Sequence, residues 1–194
     1  MHMRAQARLQ VVAGPMFAGK SEELLRRVRR ARIAGLAVEV VSHALDDRRG
    51  EGRVSSHSGL SVPSRSVPDV ETLTTSTAGR GLDLVAIDEA QFFGPGLVPA
   101  VDALLRDGVT VIVSGLCVTF DGRPFEPLPA LMATADDVLK LTAVCAVCGA
   151  DAPFHQRLAS AHGGDPLIPT SDQVGGMESY QARCRQHFTG GRPA

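Results

Sequence analysis

The sequence predicts an α/β fold, a parallel β-sheet with helices on both faces, followed by a small C-terminal domain. Three observations carry this. Apolar, strand-like runs alternate with amphipathic helical segments up to about residue 141. The strand runs are continuously apolar, as strands buried on both faces must be. From Cys145 onward the apolar runs shorten, and three of the four cysteines fall there. With 194 residues and 44% hydrophobic composition, the chain can bury a sizeable core but is too short for two large domains. We therefore expect a domain over 1–141 and a smaller one over 142–194.

The elements follow in order. "LQVVA" (9–13) is a buried strand stopped by Gly14-Pro15. "SEELLRRVRRARIA" (21–34) places Leu24, Leu25, Val28 and Ala31 at helical spacing, with acids in its first turn and Gly35 as its stop. "AVEVVS" (37–42) is a second strand, and the polar stretch 43–66 is expected to be a long, mobile loop. "LDLVAI" (82–87) is a third strand, "GLVPAVDALLRDG" (96–108) a helix, and "VTVIVSGL" (109–116) a fourth strand. "LPALMATAD" and "DVLKLTAV" then lead to the change in composition.

Charge and hydropathy exclude several classes. A net charge of −1 offers no bulk attraction to nucleic acid or to an acidic membrane. No run approaches the ~20 apolar residues of a membrane span. The opening "MHMRAQARLQ" has no apolar signal core, so a cytoplasmic location is expected. Arg26, Arg27, Arg29, Arg30 and Arg32 share one helix with no aromatic residue among them, which reads as a solvated or subunit-contact face.

Three motifs carry chemistry. The first is "GPMFAGKS", with the form G-x-x-x-x-G-K-S between a strand and a helix, which is the context a phosphate-binding loop requires. Gly14, Pro15, Met16, Phe17, Ala18 and Gly19 supply the wrapping backbone. Lys20 reaches the β and γ phosphates, and Ser21 is placed to ligate Mg²⁺. The chain contains 18 Arg and two Lys, so a lysine kept here points to a need for a compact ammonium in place of a planar fork. The second motif, "LVAIDEAQFF", ends an apolar strand in Asp88, suited to complete the Mg²⁺ shell, followed by Glu89. A carboxylate at Glu89 can polarise water, sense the γ-phosphate or accept a proton from a substrate hydroxyl, and the motif alone leaves these open. The third motif pairs "CAVC" with "CRQH". Cys145, Cys148, Cys184 and His187 match a tetrahedral, four-ligand and therefore structural zinc site. Cys117, at the end of an apolar strand, is the leftover thiol and reads as a small buried hydrophobe.

Together with "TFDGRPF", "VLKLTAVCAVCG" and "GGMESYQARCRQH", these motifs occur in an order and spacing that resembles the zinc-containing, cytosolic-type thymidine kinase family over residues 9–188. The resemblance implies a P-loop (RecA-like) sheet plus a zinc-ribbon-like C-terminal domain with a lid loop. It implies ATP, Mg²⁺ and structural Zn²⁺ as cofactors, thymidine as substrate and a homotetramer, with no nucleic acid or membrane partner. By resemblance, Glu89 is the general base on the deoxyribose 5′-hydroxyl, with Lys20 beside it, and Asp88 serves Mg²⁺. Met16, Phe92, Leu116, Phe120, Phe125, His155 and Tyr180 are nucleoside-pocket residues, and Arg48 belongs to a nucleotide-side loop. Residues 155–174 correspond to a lid that reads the base edge through main-chain groups.

The chain also departs from the family pattern. Cys117 and Ser58 stand where acids are usual, Arg49 where a tyrosine is usual, and His155, beside the base-reading loop, where a small hydroxyl residue is usual. The expected activity is transfer of the ATP γ-phosphoryl group to thymidine. The alternatives are a nucleic-acid-stimulated P-loop ATPase, prompted by "DEAQ", a kinase of this fold with altered nucleoside specificity, and a zinc-ribbon module that only senses nucleotide.

Overall fold

The computed structural model describes residues 6–45, 52–55, 59, 61–158, 167, 177 and 179–190. In chain order these form β1 (Leu9–Ala13), α1 (Lys20–Ile33), β2 (Val38–His43), β3 (Arg53–Ser55), β4 (Ser61–Pro63), β5 (Arg65–Val67), α2 (Val70–Thr77) and β6 (Leu84–Asp88). A 3-10 turn (Ala90–Phe93), α3 (Leu97–Arg106), β7 (Thr110–Gly115), α4 (Leu128–Thr134) and β8 (Asp137–Lys140) follow. The C-terminal part holds β9 (Ala143–Val144), β10 (Asp151–Ala152), β11 (Phe154–Arg157) and β12 (Tyr180–Arg183).

Six strands make one sheet in the order β5-β2-β6-β7-β1-β8, and every neighbouring pair is parallel. Alternate residues of a strand face opposite sides, so a sheet covered on both faces needs apolar residues at every position. Val85, Ile87, Val111 and Val113 pack with Leu73, Leu97, Val101, Leu128 and Leu131 from α2, α3 and α4. Their strand neighbours Leu84, Ala86 and Ile112 pack on the other face with Leu24, Leu25, Val28 and Ala31 of α1. One helix therefore covers one face and three cover the other.

Helix α1 begins where Gly19 takes a left-handed turn (φ 81°) and ends at Gly35 (φ 78°). Glu22 and Glu23 in its first turn and Arg30 and Arg32 in its last complement its dipole. Among the described residues no helix is long and apolar enough to cross a membrane.

The stretch 43–66 is not wholly a loop, as its polarity led us to expect. Strands β3 and β4 pair antiparallel, and Val54 between them is buried against the α1 side of the core. Strand β5 joins the main sheet beside β2, burying Val67. Helix α2 was likewise not legible. Its start is fixed by Asp69, whose carboxylate accepts the Thr72 amide at 2.7 Å.

The C-terminal part has its own small cluster of Ala143, Cys145, Ala152, Ala182 and Cys184, with Phe17 and Ala18 packed against it. It is also pinned to the body through Phe188. That ring stacks on Phe154 at 4.4 Å and lies where a side chain on Gly122 would come within 2.8 Å.

Candidate functional site

The phosphate loop leaves the carboxyl end of β1 and feeds α1, so its amides and the helix dipole share one focus. Gly14 is held so close to the main chain after β8 that a Cβ on it would lie 2.8 Å from the Leu141 carbonyl oxygen. Phe17 adopts a positive φ of 67°, and Gly19 follows with 81°. The Lys20 ammonium donates to the Pro15 carbonyl at 2.8 Å, which folds the side chain back over the loop. Lys140, the other lysine of the chain, ends β8 alongside Ala13.

Asp88 ends β6, one strand removed from β1, and is 4% exposed. Burial, then the adjacent Glu89 carboxylate, pushes its pKa up to about 6, while the hydroxyls of Ser114 and Ser21 beside it pull the other way. Ser21 and Asp88 thus face the same point, from α1 and from β6.

Glu89 has left-handed backbone (φ 50°), and its amide donates to the Asp88 carboxylate at 3.0 Å. The Gln91 side-chain amide donates to the Glu89 carboxylate at 2.6 Å, and the Gln91 oxygen accepts the Leu116 amide at 2.9 Å. Gln91 therefore clamps Glu89 to the chain leaving β7. Gly115 has no room for a side chain, since a Cβ would meet this Gln91 oxygen at 2.7 Å. The motif "DEAQ" contains Gln91, but sequence reasoning assigned it no task.

Met16, Leu116, Phe120, Phe125, His155 and Tyr180 line one cleft. Thr119 joins them, a residue that sequence reasoning did not single out. The Thr119 hydroxyl donates to Asp121 and accepts the Arg123 amide, closing the turn that carries Phe120. Phe92 does not line this cleft. Its ring lies 5.8 Å from that of His43, because the 3-10 turn directs it toward β2. Arg157 places its guanidinium 3.9 Å from the centre of the Phe120 ring and donates to the Tyr180 hydroxyl at 3.5 Å, bracing both aromatic walls. His155 is 2% exposed. Burial, and then the Lys20 ammonium, pushes its pKa down to about 3, so the ring is neutral. Met16 belongs to the phosphate loop and lines the cleft, which links the two.

Cys117 is half-buried against the larger core. Burial raises its pKa, with Lys140 and Lys20 opposing, so it packs as a neutral thiol. Arg48, Arg49, Ser58 and most of 155–174 lie outside the described residues.

The ligand atoms of Cys145, Cys148, Cys184 and His187 all lie within 4.8 Å of one another. Cys148 and Cys184 sulfurs are 3.7 Å apart, and the His187 Nδ1 lies 3.2 Å from Cys184 and 3.9 Å from Cys145. Zinc–sulfur bonds of about 2.3 Å in a tetrahedron put sulfurs roughly 3.8 Å apart, whereas a disulfide needs about 2.05 Å. The donor set and its spacing therefore fit a metal ion and not a cystine.

The thymidine kinase family profile matches residues 7–188 of this chain. A thymidine kinase of Deinococcus deserti is 46% identical over 191 residues, covering 92% of this chain and 93% of that protein. One from Halobacterium salinarum is 47% identical over 182 residues, covering 91% of each chain. One from Deinococcus radiodurans is 44% identical over 189 residues, covering 91% of this chain and 87% of that protein. With a profile match spanning nearly the whole chain and this identity to its members, the protein belongs to the thymidine kinase family.

Proposed function

We propose that the protein transfers the γ-phosphoryl group of ATP to the 5′-hydroxyl of thymidine. The observation that carries this is the place of Glu89. Gln91 ties its carboxylate to the amide of Leu116, which lines the aromatic-walled cleft, while its own amide bonds Asp88, which faces Ser21 of the phosphate loop. The Glu89 carboxylate takes the 5′-hydroxyl proton as the oxygen bonds to the γ-phosphorus, and the bond from that phosphorus to the β,γ-bridging oxygen breaks to release ADP. Lys20 and the loop amides from Met16 to Ser21 hold the phosphates and stabilise the charge that spreads over the transferring group. Ser21 and Asp88 are the residues suited to hold Mg²⁺, which when bound neutralises phosphate charge. Met16, Phe120, Phe125 and Tyr180 wall the base.

The C-terminal domain, taken from residue 142, holds structural zinc through Cys145, Cys148, Cys184 and His187. With four protein ligands there is no open position for catalysis. A homotetramer is the proposed assembly, to be read from its mass by light scattering. The test of function is product analysis with ATP, Mg²⁺ and labelled thymidine, where thymidine monophosphate is expected. ATP turnover stimulated by a polynucleotide and yielding no nucleoside monophosphate would establish the ATPase alternative instead.

A further inference from the structure

His155 is the part of the cleft that neither the fold nor the phosphate chemistry explains. Its Nδ1 is buried and, among the described residues, has no hydrogen-bond partner. The other polar side chains lining the cleft are engaged, Thr119 with Asp121 and the Arg123 amide, and Tyr180 with Arg157. A buried polar atom left unpaired costs free energy, so a native structure that keeps one calls for an account of it. The ring is also held firmly. His155 pairs with Ala182 across β11 and β12, Ala182 belongs to the cluster around the cysteines, and the imidazole meets the Tyr180 ring edge-on at 5.8 Å. A neutral imidazole offers one donor and one acceptor, and His155 lines the cleft.

We infer that His155 is a specificity-determining residue of the nucleoside cleft, its ring nitrogen hydrogen-bonding the polar edge of a pyrimidine base. The aromatic side chains of Phe120, Phe125 and Tyr180 that line the same cleft favour the base over the sugar as its partner, because a flat ring packs on aromatic surface and a sugar does not. This inference rests on the nucleoside kinase reading and adds a side-chain contact to the main-chain reading expected of the lid.

The test compares wild-type protein with His155→Phe, which keeps the ring area and removes both nitrogens, and with His155→Gln, which keeps a donor and an acceptor. His155→Phe should raise the KM for thymidine and deoxyuridine alike by about tenfold, the weight of one hydrogen bond, with kcat and the KM for ATP little changed. His155→Gln should recover most of that loss. Should His155→Phe not fold, His155→Leu carries the same expectation. A folded Phe or Leu variant with the wild-type KM for thymidine would overturn the inference and make His155 a packing residue. Failure of the wild-type protein to phosphorylate any nucleoside would instead overturn the reading beneath it.

Discussion

Glu89 holds a left-handed backbone conformation, which costs a residue with a Cβ about 1–3 kcal/mol. Among described non-glycine residues only Phe17 shares a positive φ, and both lie in the same site. The cost at Glu89 is offset by the bond from its own amide to Asp88 and by Gln91, which ties the carboxylate to Leu116. The result is a carboxylate whose position is set before any substrate arrives, as the proposed base requires. In the same proposal Lys20 acts differently, as a point charge on the phosphates. Lys20→Ala should therefore abolish thymidine monophosphate formation, because binding and transition-state stabilisation are lost together. Glu89→Gln should still bind ATP with Mg²⁺ but lose roughly 10²–10⁴-fold in kcat, the usual range for a missing general base. Single-turnover kinetics beside a nucleotide-binding titration separates the two, and near-normal activity in either variant would remove that residue from its assigned role. Residue types at these positions were legible in "GPMFAGKS" and "DEAQ". The backbone strain and the Gln91 clamp were not, because both depend on the chain leaving β7, more than twenty positions further on.

Helix α1 came out of the sequence almost residue for residue, since four apolar positions on one stripe and a glycine at each end are strong signals. Strands β3, β4 and β5 did not, because three residues are too few for a period of two to show. Helix α2 was hidden for another reason. "VETLTTST" is rich in Thr and Ser, whose side chains compete for the backbone, and only its capping by Asp69 and the burial of Leu73 and Thr77 make it helical. Helix α1 is further tied to the sheet by charge. Glu23 pairs with Arg26 and Arg27, and Arg27 reaches on to Gln10 of β1 and Asp137 of β8. The bond from Arg26, then that from Arg27 against some desolvation, holds the Glu23 pKa at about 2, below its ordinary 4.5. A depressed folded value means stability that is present above pH 4.5 and lost as pH falls toward 2. Glu23→Gln should lower the melting temperature at pH 7, and its deficit should shrink between pH 4.5 and pH 3. A deficit independent of pH would show that the pair contributes through packing alone. The proposed zinc site gives a second test at this scale. Among the described residues the cluster around it holds five small buried residues, so a bound metal would supply much of the folding energy there. Metal analysis should find one zinc per chain. Chelation should unfold 142–190 before the sheet, and thymidine binding should go with it, because His155 and Tyr180 stand on β11 and β12. Retention of thymidine binding by zinc-free protein would break that coupling.

At the scale of the molecule, the sheet order brings the carboxyl ends of β1, β7 and β6 side by side, placing Gly14, Gly115 and Asp88 on one rim. The phosphate end of the site was legible because each motif is contiguous in sequence. The cleft was not, since Met16, Phe125, His155 and Tyr180 come from four separate segments that only the docked C-terminal module brings together. No local pattern marks such a set, and only the resemblance to a family named most of it; Phe92, named the same way, faces His43 instead. The assembled cleft nonetheless limits what the protein can accept. Met16, Leu116, Phe120 and Phe125 give it largely apolar walls, so a methyl group on the base would be felt through burial, worth about 1–3 kcal/mol. Thymidine and deoxyuridine should then differ by no more than about 200-fold in kcat/KM. Deoxycytidine presents a donor where thymine presents an acceptor, which leaves buried polar groups on both sides mismatched and should be penalised more heavily. Tyr180 and Phe120 approach to 6.4 Å between ring centroids, with Arg157 on the face of Phe120, which leaves little space there for the second ring of a purine. The expected order is thymidine at or above deoxyuridine, both far above deoxycytidine, with purine nucleosides excluded. Competition among the four nucleosides at fixed ATP measures this order directly. A clear preference for deoxycytidine or for a purine would mean that His155, Cys117 and their neighbours have rebuilt the cleft, and thymidine would no longer be the substrate to assign.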